Sequence, residues 1–315
     1  MVRSDPTWRM VLAGLWLLLA VSGAAVPLPA EHTVLILSSN TSPSYKKVIE
    51  SCKHFMAQQD QDTQFISLSL DDADEDVEKK LAAVSQHQPS LVFALGSEAA
   101  ELAARSFPDK PVVATMVYSR TELERSTNVT GVALEFPPST QLQWIRRMLP
   151  QARRIAVLYD PAKNQAWIES ASAAATEAGL LLVAIPVASS RHIPGALKRL
   201  AREADVLWAI PDTTVFSNKT LKQVMLSSFR NKIPLVGLSR GWVKAGALYA
   251  LDRDYEDLGR QNCIMMTNIL SGQTPANIAP ETPKQVVYSL NLKTARQMKQ
   301  DIDEALVAGA GKLYK

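Results

Sequence analysis

Leu91-Val92-Phe93-Ala94-Leu95 runs without a polar side chain into the turn Gly96-Ser97-Glu98. A strand with one wet face alternates polar and apolar residues. An unbroken apolar run is buried on both faces, as in a parallel sheet covered by helices. Ile155-Ala156-Val157-Leu158 repeats the signature in the second half of the chain.

Working outward, the same unit recurs. Strands are predicted at Thr33–Ser39, Gln64–Ser69, Leu91–Leu95, Val112–Val117 and Gly131–Leu134. They continue at Arg154–Tyr159, Leu180–Val187, Val206–Ile210, Leu235–Gly237, Leu248–Leu251 and Val286–Leu290. Amphipathic stretches lie between them, among them Tyr45–Gln59, Glu98–Phe107, Gln165–Ala178, Lys219–Asn231 and Tyr255–Leu270. Alternation of this kind gives an α/β fold, and right-handed crossovers make its parallel sheets doubly wound. Eleven strands suit two sheets of five or six better than one large sheet. Pro150-Gln151-Ala152-Arg153-Arg154 restarts the pattern, and Phe136-Pro137-Pro138 suits a crossing segment. A closed barrel would need eight regular units, which this Pro-rich break interrupts. The expectation is two Rossmann-like lobes with a cleft between them. Lobe 1 takes 31–135 plus about 252–275, lobe 2 takes 136–251 plus about 276–305, and 306–315 form a C-terminal tail.

The chain's 315 residues allow about two domains, and 47% apolar with 21% charged residues supply two cores. Basic residues number 34 against 31 acidic, with no Lys/Arg block interleaved with aromatics. The electrostatic footprint of a nucleic-acid binder is missing. Arg3 and Arg9 precede an apolar run from Met10 to Val21, followed by Ser22-Gly23-Ala24-Ala25. This is the pattern of a secretory signal over residues 1–30, and the run is shorter than the roughly 20 residues of a membrane span. Cleavage near Ala25 or Ala30, hence a periplasmic protein, is the expectation; an uncleaved anchor is the alternative. No cysteine stands there to take a lipid. Cys52 and Cys263 are the only cysteines. One disulfide in an oxidising compartment and two buried free thiols both fit, the second being the blander reading.

In open parallel sheets ligands sit beyond the carboxyl ends of the strands, so the loops there are the candidate site. Ser38-Ser39-Asn40-Thr41-Ser42-Pro43-Ser44 follows the first strand, with Ser42 and Ser44 as candidates. Gly96 and Ser97 open a helix whose unpaired N–H groups suit a carboxylate; equally, Ser97 can simply cap that helix. Tyr118 precedes Ser119-Arg120, and Tyr159-Asp160-Pro161-Ala162-Lys163-Asn164 offers Tyr159 and Asn164. Asp212 and Thr213 follow another strand, as does Ser239 before Arg240. Tyr118 and Tyr159 are stacking candidates, and Asp160 and Asp212 are partners for a ligand ammonium or caps of the next turn.

No GxGxxG follows the first strand, and GxxxxGK[ST] and GxSxG are absent, so no nucleotide cofactor or hydrolase elbow is expected. His32, His54, His87 and His192 are scattered, none after a strand. HExxH and Cys/His clusters are missing, so no metal site is expected. The acidic run Asp71–Asp76 lacks the glycine and distal glutamate of a calcium loop and reads as a solvated helix start. Asn40-Thr41-Ser42, Asn128-Val129-Thr130 and Asn218-Lys219-Thr220 match the N-glycosylation sequon, a short pattern frequent by chance.

From Asn128 onward a series of segments resembles a known family. They include Asn128-Val129-Thr130-Gly131-Val132, Arg154-Ile155-Ala156-Val157-Leu158-Tyr159-Asp160-Pro161 and Pro211-Asp212-Thr213-Thr214-Val215. Asp254-Tyr255-Glu256-Asp257-Leu258-Gly259-Arg260-Gln261 and Ile269-Leu270-Ser271-Gly272-Gln273-Thr274-Pro275-Ala276 follow in the same order. Together they look like ABC transporter substrate-binding proteins whose better-known members bind tryptophan and related aromatic amino acids. The resemblance implies a type I periplasmic binding fold with three crossings, and an amino-acid-like or carboxylate ligand held between the lobes. It places the ligand carboxylate at the Gly96-Ser97 turn and adds Asp252 to the candidates. Lobe 1 departs from the family: Ser42-Pro43-Ser44-Tyr45 replaces its His-Pro loop, and Tyr118-Ser119-Arg120 replaces its Asp-Pro. Fold and class follow, whereas tryptophan specificity does not. The expected role is a monomeric, non-enzymatic binding protein that closes on its ligand and docks on an ABC permease. A ligand sensor reporting to a membrane receptor is the alternative. An exported enzyme lacks a strand-end His, and a transcription regulator lacks a helix-turn-helix.

Overall fold

The computed structural model describes residues 32–59, 63–71, 77–217 and 219–315. The expected signal at 1–30, most of the acidic run and Asn218 lie outside the described residues. The compact unit Glu31–Lys315 contains both sheets and all four core clusters, which is what a chain needs to fold by itself.

The first lobe is built in order from β1 (His32–Ser38), α1 (Pro43–Gln58), β2 (Thr63–Ser69), α2 (Val77–Ser85) and β3 (Leu91–Leu95). It continues through α3 (Ser97–Ser106), β4 (Val112–Thr115), the short α4 (Arg120–Leu123) and β5 (Val129–Val132). Its five strands are all parallel, in the order β2-β1-β3-β4-β5. Every residue of β3 is buried, as its unbroken apolar run requires. Val92 and Ala94 join a core with α3 on one face, while Leu91, Phe93 and Leu95 join a core with α1 on the other. Burial on this scale contributes about 1.5–3 kcal/mol per large side chain. β4 stops at Thr115, short of the expected Val117, because Met116 turns the backbone with φ +58°.

The second lobe begins with α5 (Pro138–Met148), β6 (Arg154–Tyr159), α6 (Pro161–Glu177), β7 (Leu181–Pro186) and α7 (Ile193–Glu203). β8 (Val206–Trp208), α8 (Leu221–Arg230), β9 (Leu235–Gly237), α9 (Arg240–Ala245) and β10 (Tyr249–Arg253) follow. The chain then forms α10 (Tyr255–Leu270), β11 (Val286–Asn291), α11 (Leu292–Gln297), α12 (Glu304–Ala308) and β12 (Lys312–Tyr314). The second sheet has seven strands, ordered β12-β11-β10-β9-β8-β6-β7, with β11 antiparallel to β10. Residues 306–315, expected as a tail, instead supply the edge strand β12, parallel to β11. Tyr288 anchors that end, since its hydroxyl donates to the Leu306 carbonyl at 2.7 Å and its own carbonyl accepts from Gly311.

The chain passes between the lobes three times. It leaves β5 for α5, then leaves β10 for α10, whose Leu258, Cys263 and Met266 complete the core of the first lobe. Glu281 bridges to Val132 before the chain returns to β11. Asp252 and Arg253 therefore still belong to a strand of the second sheet, and 275–281 run beside β5.

Cys52 and Cys263 are joined in a disulfide with their Cα atoms 5.4 Å apart, which corrects the reading of two free thiols. The reason is the close approach of α1 and α10. At Gly259 a Cβ would lie 2.4 Å from the Val48 carbonyl oxygen, so only glycine lets the two helices lie this near each other.

Candidate ligand-binding cleft

The two sheets direct their carboxyl ends at each other. β5 is parallel to its neighbours and its end feeds the crossing toward the second lobe. β10 is parallel to β9, and Arg253 at its end donates from Nε to the Leu134 carbonyl at 2.6 Å, on that crossing. The Arg253 guanidinium also sits 4.9 Å from the Phe136 ring. A crevice of about 410 Å³ beside this hinge is lined by Arg120 and Glu135 from the first lobe and by Trp167, Ser170 and Glu177 from α6.

On the first lobe everything converges at Gly96, whose φ of +98° and ψ of 156° is a conformation essentially reserved for glycine. A Cβ there would lie 2.5 Å from Ser39 Oγ and 2.8 Å from the Tyr45 hydroxyl. Ser39 Oγ accepts from the Ala99 N–H at 3.0 Å, so Ser39, not Ser97, caps α3. Ser97 turns its hydroxyl away and donates to Glu122 Oε2 at 2.6 Å. Glu122 in turn belongs to the capping box of α4 with Ser119. Ser42 and Ser44 lie at the start of α1, their hydroxyls 3.3 Å apart, and Asn40 Oδ1 accepts from the Ser42 N–H. Tyr45 is half-buried against the first-lobe core, and burial raises its phenol above the ordinary value while Asn40 opposes that shift.

On the second lobe Asp160, Asn164 and Asp212 form one network, with both carboxylates buried and Asn164 half-buried. Asp212 Oδ2 accepts from the Asp160 N–H at 2.7 Å and from Asn164 Nδ2 at 2.8 Å; Oδ1 accepts from the amides of Thr214 and Val215. Of the two roles weighed for Asp212, the structure shows the turn-holding one. Thr214 Oγ1 donates to Asp160 Oδ2 at 2.7 Å. That hydrogen bond, then the Ala162 N–H and Lys163, hold the Asp160 carboxyl below its ordinary value, against the upward push of burial. Lys163 donates to Thr213 Oγ1 at 2.7 Å and to Thr214 Oγ1 at 2.9 Å. Tyr159, expected as a stacking ring, instead packs in the second-lobe core with its hydroxyl on Gln165 Oε1, because β6 directs it to the α5–α6 face. Ser239 is exposed at the start of α9.

At the hinge, Tyr118 is 48% exposed. Its phenol is raised by burial, lowered by Arg253 and raised by Glu135, which places it between the two lobes' charges. Asp252 lies next to Tyr255, whose phenol is raised by burial and then by Asp252. Ser39, Tyr45, Lys163, Arg253 and Tyr255 join the candidates as residues that strand-end loops alone did not single out. The Gly96 turn was the available signal for the first two. Among the described residues no group of His, Cys, Asp and Glu is arranged to hold a metal, and no helix is long and apolar enough to cross a membrane.

Two doubly wound lobes with opposed strand ends and three crossings define a bilobal solute-binding protein of the type I periplasmic binding fold. A sequence profile described as ABC transporter substrate binding protein matches residues 42–314, and the chain belongs to that family. It is 24% identical over 217 residues to a tyrosine-binding protein of Clostridioides difficile, a match covering 66% of this chain and 62% of the relative's length. Among solved structures it resembles the ligand-free, open form of a substrate binding protein with adhesive properties from Clostridium difficile, at TM-score 0.73 and 18% identity over 90% of this chain and 99% of the other. It also resembles an ABC domain in complex with L-Trp from Streptococcus pneumonia, at TM-score 0.55 and 22% identity over 90% of this chain and all of the other.

Proposed function

We propose that this chain is the exported, periplasmic solute-binding protein of an ABC importer, and that it traps a small amino-acid-like ligand between its lobes. The observation that carries the reading is the opposition of two sets of parallel strand ends joined by a three-segment hinge. Membership of a substrate-binding family supports binding rather than catalysis. The ligand carboxylate meets the start of α3, where Ser97 and Glu98 are exposed, their N–H groups find no hydrogen-bond partner among the described residues, and the helix end is partly positive. Lys163 with Thr213 and Asn164 closes from the second lobe, while Tyr45, Tyr118 and Tyr255 offer aromatic surface beside Asp252. Ser42, Ser44 and Ser239 complete the rim. The tyrosine- and L-Trp-binding relatives support an aromatic amino acid as the first candidate. Likeness to an open relative supports an open resting state, closed by contacts that both lobes make with ligand. The closed monomer then docks on its permease.

The test is thermal unfolding of residues 31–315 against L-tyrosine, L-tryptophan, the other amino acids and small carboxylates. A ligand at a hundred times its dissociation constant stabilises by about 2.7 kcal/mol. Small-angle scattering then reads compaction on saturation. A panel in which no compound shifts unfolding sinks the proposal; a shift without compaction sinks the closure mechanism.

A further inference from the structure

The cores of the second lobe lie on opposite faces of its sheet. α5, α6, α11 and α12 cover one face; α7 and α8 cover the other. Between α7 and α8 lies an open groove of about 550 Å³ whose charged lining is Lys198, Lys219, Lys222 and Arg230, with no carboxylate. None of these four cations makes an ion pair among the described residues, so their charge faces the groove uncompensated. The same helix α8 carries two of the large apolar side chains most exposed to water, Leu226 at 44% and Phe229 at 45%. Its opposite side is anchored in the core through Val224.

Four unpaired cations in one groove attract a surface of negative charge, and exposed Leu and Phe beside them add an apolar term. The placement of Phe229 discriminates between occupants. Leu226 lines the groove but Phe229 stands outside it. An acidic peptide seated in the groove would leave Phe229 in water, while a flat, fluid surface covers both side chains at once. A helix with a basic face and large apolar side chains is also what binds in the headgroup region of a bilayer.

We propose that the α7–α8 face docks on an anionic phospholipid bilayer, with Lys198, Lys219, Lys222 and Arg230 at the headgroup phosphates and Leu226 and Phe229 at the acyl boundary. This surface runs along the outer side of α7 and α8, meeting the loop after β8 only at Lys219, and does not depend on which ligand the cleft takes. Docking of this kind holds the lobes at the membrane surface, where a permease resides.

The test is co-sedimentation of residues 31–315 with vesicles of phosphatidylglycerol mixed with phosphatidylcholine, against vesicles of phosphatidylcholine alone. Each neutralised cation is expected to cost about fivefold in partitioning, so Lys222→Gln with Arg230→Gln lowers binding to the mixed vesicles about 30-fold. Lys293→Gln with Arg296→Gln, exposed on α11 across the sheet, leaves it unchanged. Leu226→Ser with Phe229→Ser removes the part of the binding that survives high salt, and thermal midpoints confirm that every variant is folded. Equal partitioning to both vesicle types overturns the proposal, as does full binding by the Lys222/Arg230 variant. Soluble polyglutamate that displaces the protein, with vesicle binding untouched in the Leu226/Phe229 variant, assigns the face to an acidic protein segment and likewise overturns it.

Discussion

Replacing Gly96 by alanine tests the centre of the proposed site. The perturbation adds one methyl group at φ +98°, ψ 156°, backbone that only glycine adopts freely. Holding a residue with a side chain there costs about 1–3 kcal/mol. The new Cβ would also stand 2.5 Å from Ser39 Oγ and 2.8 Å from Ser39 Cβ. The hydroxyl can rotate, but the Cβ cannot, so Ser39 must shift and its hydrogen bond to the Ala99 N–H is lost. Loss of such a cap costs about 0.5–2 kcal/mol. Together the two effects predict destabilisation of about 1.5–5 kcal/mol, together with loss of ligand binding because the Ser97 and Glu98 amides, proposed to hold the carboxylate, move with the turn. Urea unfolding monitored by far-UV circular dichroism measures the first, and calorimetric titration the second. Ser39→Gly in the same background should recover about 1 kcal/mol relative to the sum of the single changes, since contacting residues couple on that scale. A Gly96→Ala protein within 0.5 kcal/mol of wild type that still binds ligand would refute the reasoning.

Other expectations are more local. Cys52→Ser with Cys263→Ser, or reduction, should cost about 2–5 kcal/mol in the denaturation midpoint analysis, because the bond closes a loop across a separation of 211 residues. A loss below 1 kcal/mol would mean that packing of α1 on α10 suffices. Asp212→Ala strips the acceptor from four donors, two of them the amides of Thr214 and Val215. It should cost about 3 kcal/mol or more, and Asp212→Asn, which keeps one acceptor oxygen, should cost less. Asp160 has a folded pKa depressed below 3.8, so its contribution is complete above that pH and is lost as pH falls through the lower folded value. Asp160→Asn should therefore flatten the acid side of the stability profile, below the ordinary carboxylate value, and an unchanged profile would contradict the Thr214 assignment. The Tyr249 hydroxyl is fully buried without a hydrogen-bond partner among the described residues. Tyr249→Phe should raise stability by about 1 kcal/mol, and a loss would show that the hydroxyl has a partner, such as a bound water.

What the sequence determined by itself was the layering of the molecule. Leu91–Leu95 and Ile155–Leu158 lack polar residues because both faces of those strands are covered, and periodicity of that kind is local enough to survive without coordinates. The Gly96 turn was visible for the same reason, as an apolar strand meeting a glycine before a helix. Elements of three to six residues such as α4, α9 and β12 were not, since one turn of helix or one short edge strand leaves no period to detect. Tertiary structure alone decided which side chains meet. Gly259 brings α1 against α10, so two thiols far apart in sequence become neighbours. The pleat of β6 sends Tyr159 into a core while the next residue, Asp160, caps α6. Ser39 caps a helix from which it is separated by 60 positions, and so frees Ser97 to bond Glu122. Each of these depends on distances between elements remote along the chain, which burial patterns within a single element do not encode.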